Sequence, residues 1–189
     1  MALTDKQRVP PGQELVTDFP VLHAGQVARL DRATWSLAIS GLISPPRSVT
    51  WDDLLALPSS EQTCDIHCVT GWSKLDTRWK GVRVTQLLEG ANVLGEARHV
   101  VIRAPGGWTT NLPLTYLLAD DVLVAYEYEG LPLTPEHGGP VRLLVPALYL
   151  WKSAKWLTGI EFTPDQRLGF WETRGYHALG DPWLEQRYS

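Results

Sequence analysis

Apolar and polar residues alternate in several short segments of the chain, the pattern of half-buried β-strands. The clearest example is TWSLAISGLI, residues 34–43, which predicts a strand that ends at Gly41. The segment that holds both cysteines is predicted to be a strand that runs into a loop. Further strands are predicted at 98–105, 121–133, 139–149 and 155–163.

Short helices are predicted between these strands. Thr50 can cap a helix that carries Asp52 and Asp53 in its first turn and ends at Pro58. A second short helix is predicted at 83–93. Because short strands and short helices follow one another without a regular βαβ rhythm, the sequence predicts an α+β fold with a single mixed-sheet domain.

The two ends of the chain lack periodicity. Residues 1–18 are predicted to form an extended N-terminal arm. Residues 19–189 are predicted to form one domain, whose last part, from about residue 164, is an irregular tail on the surface. Of the 189 residues, 44% are hydrophobic and 20% are charged, which is ordinary for a globular protein. The net charge of −4 gives no general basic surface for nucleic acid.

The N-terminal sequence MALTDKQRVPPGQELVTDF is polar, and it contains neither an apolar signal core nor a twin arginine. No apolar run reaches the length of a membrane span. We therefore expect a cytoplasmic protein, in which a structural disulfide is not expected. Each cysteine is then a buried thiol, a metal ligand or a nucleophile.

Both cysteines, Cys64 and Cys68, lie in CDIHCVTGWSKLDTRWKG, residues 64–81. Zinc is disfavoured, because the adjacent His67 and Cys68 would point to opposite sides of a strand and no second ligand pair follows. A nucleophilic Cys68 needs a histidine base. The free candidates for that base are His99, His137 and His177. The residues alone also allow both thiols to be small, buried core residues.

A second group of candidates lies in EHGGPVRLLVPALYLWKSAKW, residues 136–156. If His137, Arg142, Lys152 and Lys155 converge, they form an anion site, since the arginine fork suits phosphate and lysine adds a point charge. The alternative is a solvated basic edge of a strand. The tryptophans beside the two lysines are less typical of an open surface. The chain contains no glycine-rich dinucleotide or P-loop motif.

Three segments, DIHCVTGWS, DDVLVAYEYEGLPLTPEHGGPVRLLVP and KSAKWLTGIEF, together resemble the molybdopterin-binding catalytic domain of the sulfite oxidase family. The resemblance runs in order from about residue 19 to residue 163. CVTGWS is similar to the small bacterial members, which include periplasmic methionine-sulfoxide reductase catalytic subunits. It departs from the arginine-rich segment of animal and plant sulfite oxidases. The resemblance implies the mixed-sheet fold of that family and, as cofactors, molybdenum and molybdopterin.

The resemblance also implies a role for each matching residue. Cys68 matches the cysteine whose thiolate binds molybdenum, and Tyr126 matches the tyrosine beside the metal. Cofactor contacts are implied in the N-terminal arm and in the later cluster. The residues that match are Phe19, Val21, His23, His137, Arg142, Ser153, Ala154 and Lys155, and Lys152 is a further cofactor-binding candidate because it lies close by and adds charge. Cys64 has no counterpart and is assigned to the core.

The implied activity is oxygen-atom transfer on a small substrate, either sulfite oxidation or reduction of an S- or N-oxide. Lys74, Arg78 and Arg103 are candidate substitutes for the missing arginines, and His67 is a candidate on the substrate side. Because no haem motif is present, we expect a separate electron-transfer partner. An exposed tryptophan surface is expected either to dock this partner or to form a homo-oligomer face. Two alternatives stay open: a hydrolase that uses Cys68, and a binding module without cofactor.

Overall fold

The structure is a computed structural model that describes residues 4–189. Its strands are β1 Glu14–Leu15, β2 Ser36–Gly41, β3 Ile43–Ser44, β4 Arg47–Thr50, β5 Ser60–Cys68, β6 Trp72–Arg83, β7 Asn92–Val93, β8 His99–Arg103, β9 Thr109–Pro113, β10 Leu123–Tyr128, β11 Leu131–Pro132, β12 Arg142–Leu144 and β13 Gly159–Thr163. The helices are α1 Asp5–Arg8, α2 Trp51–Ala56, α3 Val84–Leu87 and α4 Leu114–Leu117. Short 3₁₀ helices lie at Pro105–Gly107, Pro135–His137, Leu150–Lys152 and Glu172–Arg174. The predicted α+β fold with mixed sheets is confirmed.

Two sheets form the body of the molecule. The five-stranded sheet has the order β4–β2–β13–β8–β9, in which β2 and β13 are parallel and the other pairs are antiparallel. The six-stranded sheet is built around β6, whose residues 79–81 pair with β5 on one edge and with β10 on the other. β12 and β11 extend it from β10, and β1 pairs with the start of β6. This pairing places Cys68, at the end of β5, opposite Trp72.

Side-chain alternation divides the buried residues of β10 between two faces of its sheet. Val124 belongs to the main core, which also contains residues of β2, β8 and β13. Leu123 and Ala125 point the other way, into a second cluster with Ile66 and Trp79. Cys68 packs against this second cluster. The thiol therefore lies on the face of the six-stranded sheet that is turned away from the main core.

The predicted helix after Thr50 is confirmed. Thr50 accepts a hydrogen bond from the backbone of Asp53, and the Asp53 carboxylate bonds back to the N–H of Thr50, so that both orphan donors are satisfied. The helix spans Trp51–Ala56 and ends before Pro58. Each of its signals is local in sequence, and no distant contact is needed to produce it.

The prediction of a strand and a loop for the cysteine segment was only half right. The loop is three residues long, and it is followed by β6, a strand of 12 residues. Alternation in β6 is hidden, because Ser73 and Thr77 are buried alongside its apolar residues. A bulge between Cys64 and Ile66 also shifts the register of the hairpin, and Asp76 takes a positive φ of 53°.

The two ends of the chain pack on the sheets. In the arm, the Arg8 guanidinium binds Asp65 and Asp76 at the β5–β6 hairpin. The tail from residue 164 onward contains the 3₁₀ helix Glu172–Arg174 and an isolated antiparallel pairing of Tyr176 with Tyr188. The division into arm and domain at residue 18 stays a prediction. Within residues 4–189, no helix is long and apolar enough to cross a membrane.

Candidate active site

A cavity of about 770 Å³ lies beside the turn between β5 and β6. Five parts of the chain supply its walls: an extension of the N-terminal arm from Phe19 to Ala28, the turn that begins at Cys68, residues 105–108 before β9, the segment from Leu150 to Trp156, and the tail. Arg142 reaches it from β12. The first and the last of these parts lie more than a hundred residues apart in sequence, and the two sheets bring all of them to one opening.

Cys68 is the last residue of β5, and its thiol faces the cavity. The turn closes with a hydrogen bond from the Gly71 N–H to the Cys68 carbonyl, 3.0 Å long. Gly71 has φ 101°, a conformation that a residue with a side chain rarely adopts. The Thr70 hydroxyl donates to the Cys68 sulfur over 3.1 Å. A tight turn therefore presents a half-buried sulfur with one hydrogen-bond donor.

Arg142 is the buried cation of the cavity wall. Its Nη1 donates to the carbonyl of His137 at 2.9 Å, and its Nη2 donates to the carbonyl of Ser153 at 2.8 Å. The guanidinium carbon lies 5.9 Å from the centre of the Phe19 ring. Burial lowers the pKa of Arg142 to about 10, while the nearby Cys68 acts in the opposite direction. The guanidinium is thus held rigidly, with a positive field directed at the cavity.

Lys155 adds a second positive charge beside Arg142. Its Nζ donates to the carbonyl of Leu22, 2.9 Å away in the arm, and to the carbonyl of Glu136. Burial and then the charge of Arg142 lower the pKa of Lys155 to about 8. Within residues 4–189, the backbone N–H groups of Ala154 and Lys155 donate to no protein acceptor. Two cations and two successive free N–H groups form a site for an anionic group such as a phosphate.

The opposite side of the cavity is apolar. We call Trp108, Trp151, Phe170, Trp171 and Tyr176 the aromatic wall. Trp171 and Tyr176 stack with ring centres 4.9 Å apart, and Trp151 meets Tyr176 edge-on at 5.2 Å. Trp72 also lines the cavity, and its buried Nε1 has no partner among the described residues. An unpaired buried N–H costs free energy, so this donor indicates a bound acceptor at this point of the cavity.

A buried ion pair lies behind the aromatic wall. The side chains of Lys152 and Glu172 are both fully buried, and the Lys152 Nζ lies 2.5 Å from the Glu172 Oε1. The same ammonium donates to the carbonyl and to the side-chain oxygen of Asn111, and to the carbonyl of Ala178. The Glu172 carboxylate also accepts from Thr110 and Trp151. This network joins β9, the Leu150–Lys152 helix and the tail.

Six of the predicted cofactor residues line the cavity together with Cys68. They are Phe19, His23, Arg142, Ser153, Ala154 and Lys155. Their roles toward a cofactor stay predictions. Two others lie elsewhere: Val21 is 44% exposed and does not line the cavity, and His137 lies behind Phe19, with ring centres 4.2 Å apart. The His137 Nε2 donates to the Phe19 carbonyl at 3.0 Å, so it holds the arm in place.

Lys152 does not line the cavity, contrary to the prediction. Its ammonium donates hydrogen bonds to Glu172, Asn111 and Ala178 instead, because a buried charge has to be paired. Lys155, three residues later, is the lysine that faces the cavity. The sequence predicted both lysines at the site because it does not show that Glu172 returns to this segment from the tail.

Tyr126, which was predicted to lie beside the metal, does not line the cavity. Tyr126 is 6% exposed, belongs to the main core, and meets Trp51 edge-on with ring centres 6.1 Å apart. A bulge in β10 between Ala125 and Glu127 changes the alternation. Tyr128 consequently lies on the face toward Cys68, with its ring centre 5.2 Å from that of Phe19. Burial raises the pKa of Tyr128 to about 12.

The remaining polar candidates are engaged away from the cavity. Lys74 donates to the carbonyl of Thr17, and His67 bonds the buried Ser73 hydroxyl at 2.8 Å. Arg78 and Arg103 pair with the carboxylates of Glu129 and Glu161. Of the histidines, His23 is the one that lines the cavity in the part of the chain that the structure describes.

Three candidate histidine bases and a zinc cluster gain no support from the structure. His99 lies in β8, His137 is behind Phe19, and the His177 Nδ1 accepts from the backbone of Leu179 at 3.1 Å. No group of three or more His, Cys, Asp or Glu side chains among residues 4–189 is placed to hold a metal ion. None of the three predicted histidine bases lines the cavity beside Cys68.

The tail residues of the aromatic wall were missed by the sequence interpretation. The available signal was composition, since nine tryptophans accompany three phenylalanines. A second signal is Gly169: a Cβ at this position would lie 2.4 Å from the carbonyl oxygen of Thr109. The glycine lets the tail approach β9 closely, and the Phe170 N–H donates to the same carbonyl at 2.8 Å. Neither signal has a period, so pattern analysis assigned the segment to the surface.

Comparison with known protein families gives one match over most of the chain. Residues 24–171 match the family described as oxidoreductase molybdopterin binding domain. An oxidoreductase of Bacillus subtilis (strain 168), YuiH, is 52% identical over 183 residues, which cover 96% of this chain and 92% of that protein.

More distant similarities connect the chain with larger proteins. The protein-methionine-sulfoxide reductase catalytic subunit MsrP of Campylobacter jejuni is 33% identical over 176 residues, which cover 78% of this chain and 57% of that protein. The crystal structure of the sulfane dehydrogenase SoxCD from Paracoccus pantotrophus superposes with a TM-score of 0.69 at 23% identity. This likeness covers 76% of this chain and 41% of that chain, and it concerns the fold alone.

Proposed function

We propose that this chain, which belongs to the oxidoreductase molybdopterin-binding domain family, holds molybdenum through Cys68 and reduces a neutral sulfoxide. The cavity fits the cofactor of that family. It combines a thiol, an unpaired buried N–H of Trp72, and an anion site of Arg142, Lys155 and two free backbone N–H groups. A soft thiolate suits a metal that is otherwise held by sulfur.

Different residues would bind the metal and the pterin phosphate. The Cys68 sulfur would ligate the metal, and the segment from Ser153 to Lys155, with Arg142, would hold the phosphate of the pterin. Phe19 and His23 cover the cavity from the arm. When bound, the molybdenum–pterin group supplies oxygen-atom transfer with a two-electron change at the metal. The chain would orient the substrate toward the bound cofactor and exclude water from the space between them.

We assign the selection of substrate to the aromatic wall. Among residues 4–189, Arg142 is the arginine and Lys155 is the lysine that line the cavity, and both belong to the anion site. Sulfite, a doubly charged anion, needs additional cations over the metal. A sulfoxide is neutral, and its apolar substituents and sulfur pack favourably on indole and phenol rings. The relative MsrP is named as a methionine-sulfoxide reductase, which supports the same direction of reaction.

A direct comparison of substrates tests this proposal. Purified protein made with added molybdate is assayed with methyl phenyl sulfoxide and a reduced viologen dye, and separately with sulfite and ferricyanide. In the first assay the sulfoxide takes up two electrons from the dye and two protons, and yields the thioether and water. We expect kcat/KM for the sulfoxide to exceed that for sulfite by about two orders of magnitude, the equivalent of roughly 3 kcal/mol.

The opposite preference would contradict the proposed substrate, and protein that contains no molybdenum after loading would contradict the proposed site. A matched pair of tryptophans serves as the control. Trp171 belongs to the aromatic wall, whereas Trp183 is 49% exposed and does not line the cavity. Trp171→Ala should raise KM for the sulfoxide, and Trp183→Ala should leave it unchanged.

Electrons for this reduction would come from a separate protein. MsrP is named as a catalytic subunit, which implies a second component in that system. The sequence contains no C-x-x-C-H haem-attachment motif. The identity of the donor and the cytoplasmic location stay predictions.

A further inference from the structure

Both ends of the chain meet at the turn that carries Cys68. Residues 11–16 of the arm run beside this turn: the Glu14 N–H donates to the Gly71 carbonyl at 2.8 Å, and the Val16 N–H to that of Ser73 at 3.0 Å. These arm residues and Arg187, in the tail, lie outside the 24–171 range that matches the family. Contacts here therefore lie outside the part of the chain that matches the family.

Gln13 bonds the turn from the arm. Its Nε2 donates to the carbonyl oxygen of Cys68 at 3.1 Å, and to the Tyr149 hydroxyl at 3.4 Å. Its Oε1 accepts from the Ser73 hydroxyl at 3.3 Å. One side-chain amide thus contacts the first residue of the turn and the strand that follows it.

Arg187 bonds the turn from the tail. Its Nη1 donates to the carbonyl oxygen of Val69 at 2.6 Å, and its Nη2 donates to the carbonyl of Gly12 at 2.9 Å. The guanidinium also lies over the Tyr149 ring, 5.3 Å from its centre. A planar fork can bridge two carbonyls in this way, whereas a lysine cannot reproduce the geometry.

Gly12 makes the contact between the two ends possible. It has φ 64°, and a Cβ at this position would lie 2.8 Å from the Glu185 Oε1 and 3.0 Å from the Arg187 Nη2. A larger residue would strain the backbone at this positive φ and displace the side-chain ends of Glu185 and Arg187. We call Gln13, Gly12 and Arg187 the terminal clasp.

We propose that Gln13 and Arg187 of the terminal clasp are positioning residues for Cys68. They hold the carbonyls of Cys68 and Val69, and so keep the sulfur directed at the cavity and next to the Thr70 hydroxyl. The inference rests on the proposed function for its consequence, because a correctly held sulfur matters most if it binds the metal. The contacts themselves do not depend on the cofactor.

The test uses the full-length purified protein and follows alkylation of the two cysteines by mass spectrometry. Cys64 is an internal control, because burial raises its pKa to about 12 and keeps it unreactive. Loosening the turn exposes the Cys68 sulfur. We expect Arg187→Ala to speed Cys68 alkylation about tenfold and Gln13→Ala about threefold, which correspond to loss of charged and neutral hydrogen bonds. The half-life of bound molybdenum during dialysis should shorten in the same order.

Two further variants serve as controls for this test. Arg167→Ala removes an exposed arginine that pairs with Glu161, and should change neither rate. Arg187→Lys should restore part of the protection. If Arg187→Ala does not fold, Gln13→Ala, which leaves no charge unpaired, carries the comparison. An unchanged Cys68 rate in Gln13→Ala and Arg187→Ala would overturn the proposal, and so would a parallel rise at Cys64, which indicates general loosening.

The alkylation result is separable from the proposed function. Molybdenum content that does not depend on Cys68 would refute the metal site, yet the two alkylation rates would still measure the terminal clasp. If Cys68 in Arg187→Ala stays protected from alkylation and metal retention is unaltered, the positioning role of the terminal clasp alone is refuted.

Discussion

The two sides of the cavity are built in different ways. The cationic side comes from β12 and the adjoining segment 153–155, where Arg142 and Lys155 hold fixed positions through backbone carbonyls. The aromatic wall comes from Trp108 just before β9, the Leu150–Lys152 helix and the tail, and the ion pair of Lys152 and Glu172 joins these parts. The cationic side lies within one short stretch of sequence, whereas the aromatic wall is assembled from three. A site for an anionic group can thus be local in sequence, whereas the aromatic wall, to which we assign substrate selection, depends on a distant segment.

The largest effect should follow from separating the aromatic wall from its support. Lys152→Met leaves the Glu172 carboxylate buried without its partner, so we expect the free energy of unfolding to fall by about 3–5 kcal/mol. Urea unfolding measures this loss. The double variant Lys152→Met with Glu172→Leu should recover part of the stability, because no unpaired charge remains. Equal losses in the single and double variants would contradict the role of the ion pair.

On the cationic side, Arg142→Lys keeps the charge but cannot bridge the carbonyls of His137 and Ser153. We expect retention of the pterin group to weaken about tenfold to a hundredfold, the equivalent of roughly 1.5–3 kcal/mol. Pterin fluorescence after acid treatment and dialysis measures retention. The KM for substrate should change little in protein that remains loaded. A changed KM with full cofactor retention would mean that the two sides do not have separate tasks.

Trp171→Ala is the matched change on the aromatic wall. We expect KM for methyl phenyl sulfoxide to rise about tenfold, since a buried aromatic contact is lost, with kcat and molybdenum content close to those of the native chain. Steady-state kinetics on fully loaded protein measure both constants. A fall in molybdenum content without a change in KM would place Trp171 on the cofactor side.

A further prediction concerns the titration of Lys155. The pKa of Lys155 is about 8 in the folded chain and near 10.5 when the residue is free. Between these pH values the unfolded chain binds more protons, so the free energy of unfolding of the cofactor-free protein should rise with pH. Lys155→Met should lack this part of the rise. Parallel pH profiles for the two proteins, from urea unfolding, would contradict the lowered pKa.

The sequence predicted what is local and missed what depends on distant contacts. Thr50 and Asp53 form their capping box within one turn, and the alternation of Leu37 and Ile39 in β2 is regular, so both elements were predicted correctly. β6 was missed because a bulge and the buried Ser73 and Thr77 obscure its period.

The candidate site shows the same division. Cys68, Arg142 and Lys155 were placed by the quoted motifs, and the structure brings them to one cavity. Regular alternation leaves Tyr126 on the core face with Val124, and the bulge in β10 turns Tyr128 to the face of Ala125, which the sequence does not show. Lys152 is turned away from the cavity because it pairs with Glu172, which lies 20 residues later in the chain. No sequence pattern predicts that Glu172 packs against this segment.

The measurement that tests the central claim most directly is the molybdenum content of Cys68→Ser beside that of Cys64→Ser. Both changes replace one sulfur by oxygen on the same strand, but Cys68 faces the cavity and Cys64 does not. We predict that Cys68→Ser loses both molybdenum and sulfoxide turnover while its unfolding curve stays close to that of the native chain, and that Cys64→Ser keeps both. A Cys68→Ser protein with native molybdenum content and native turnover would contradict the account.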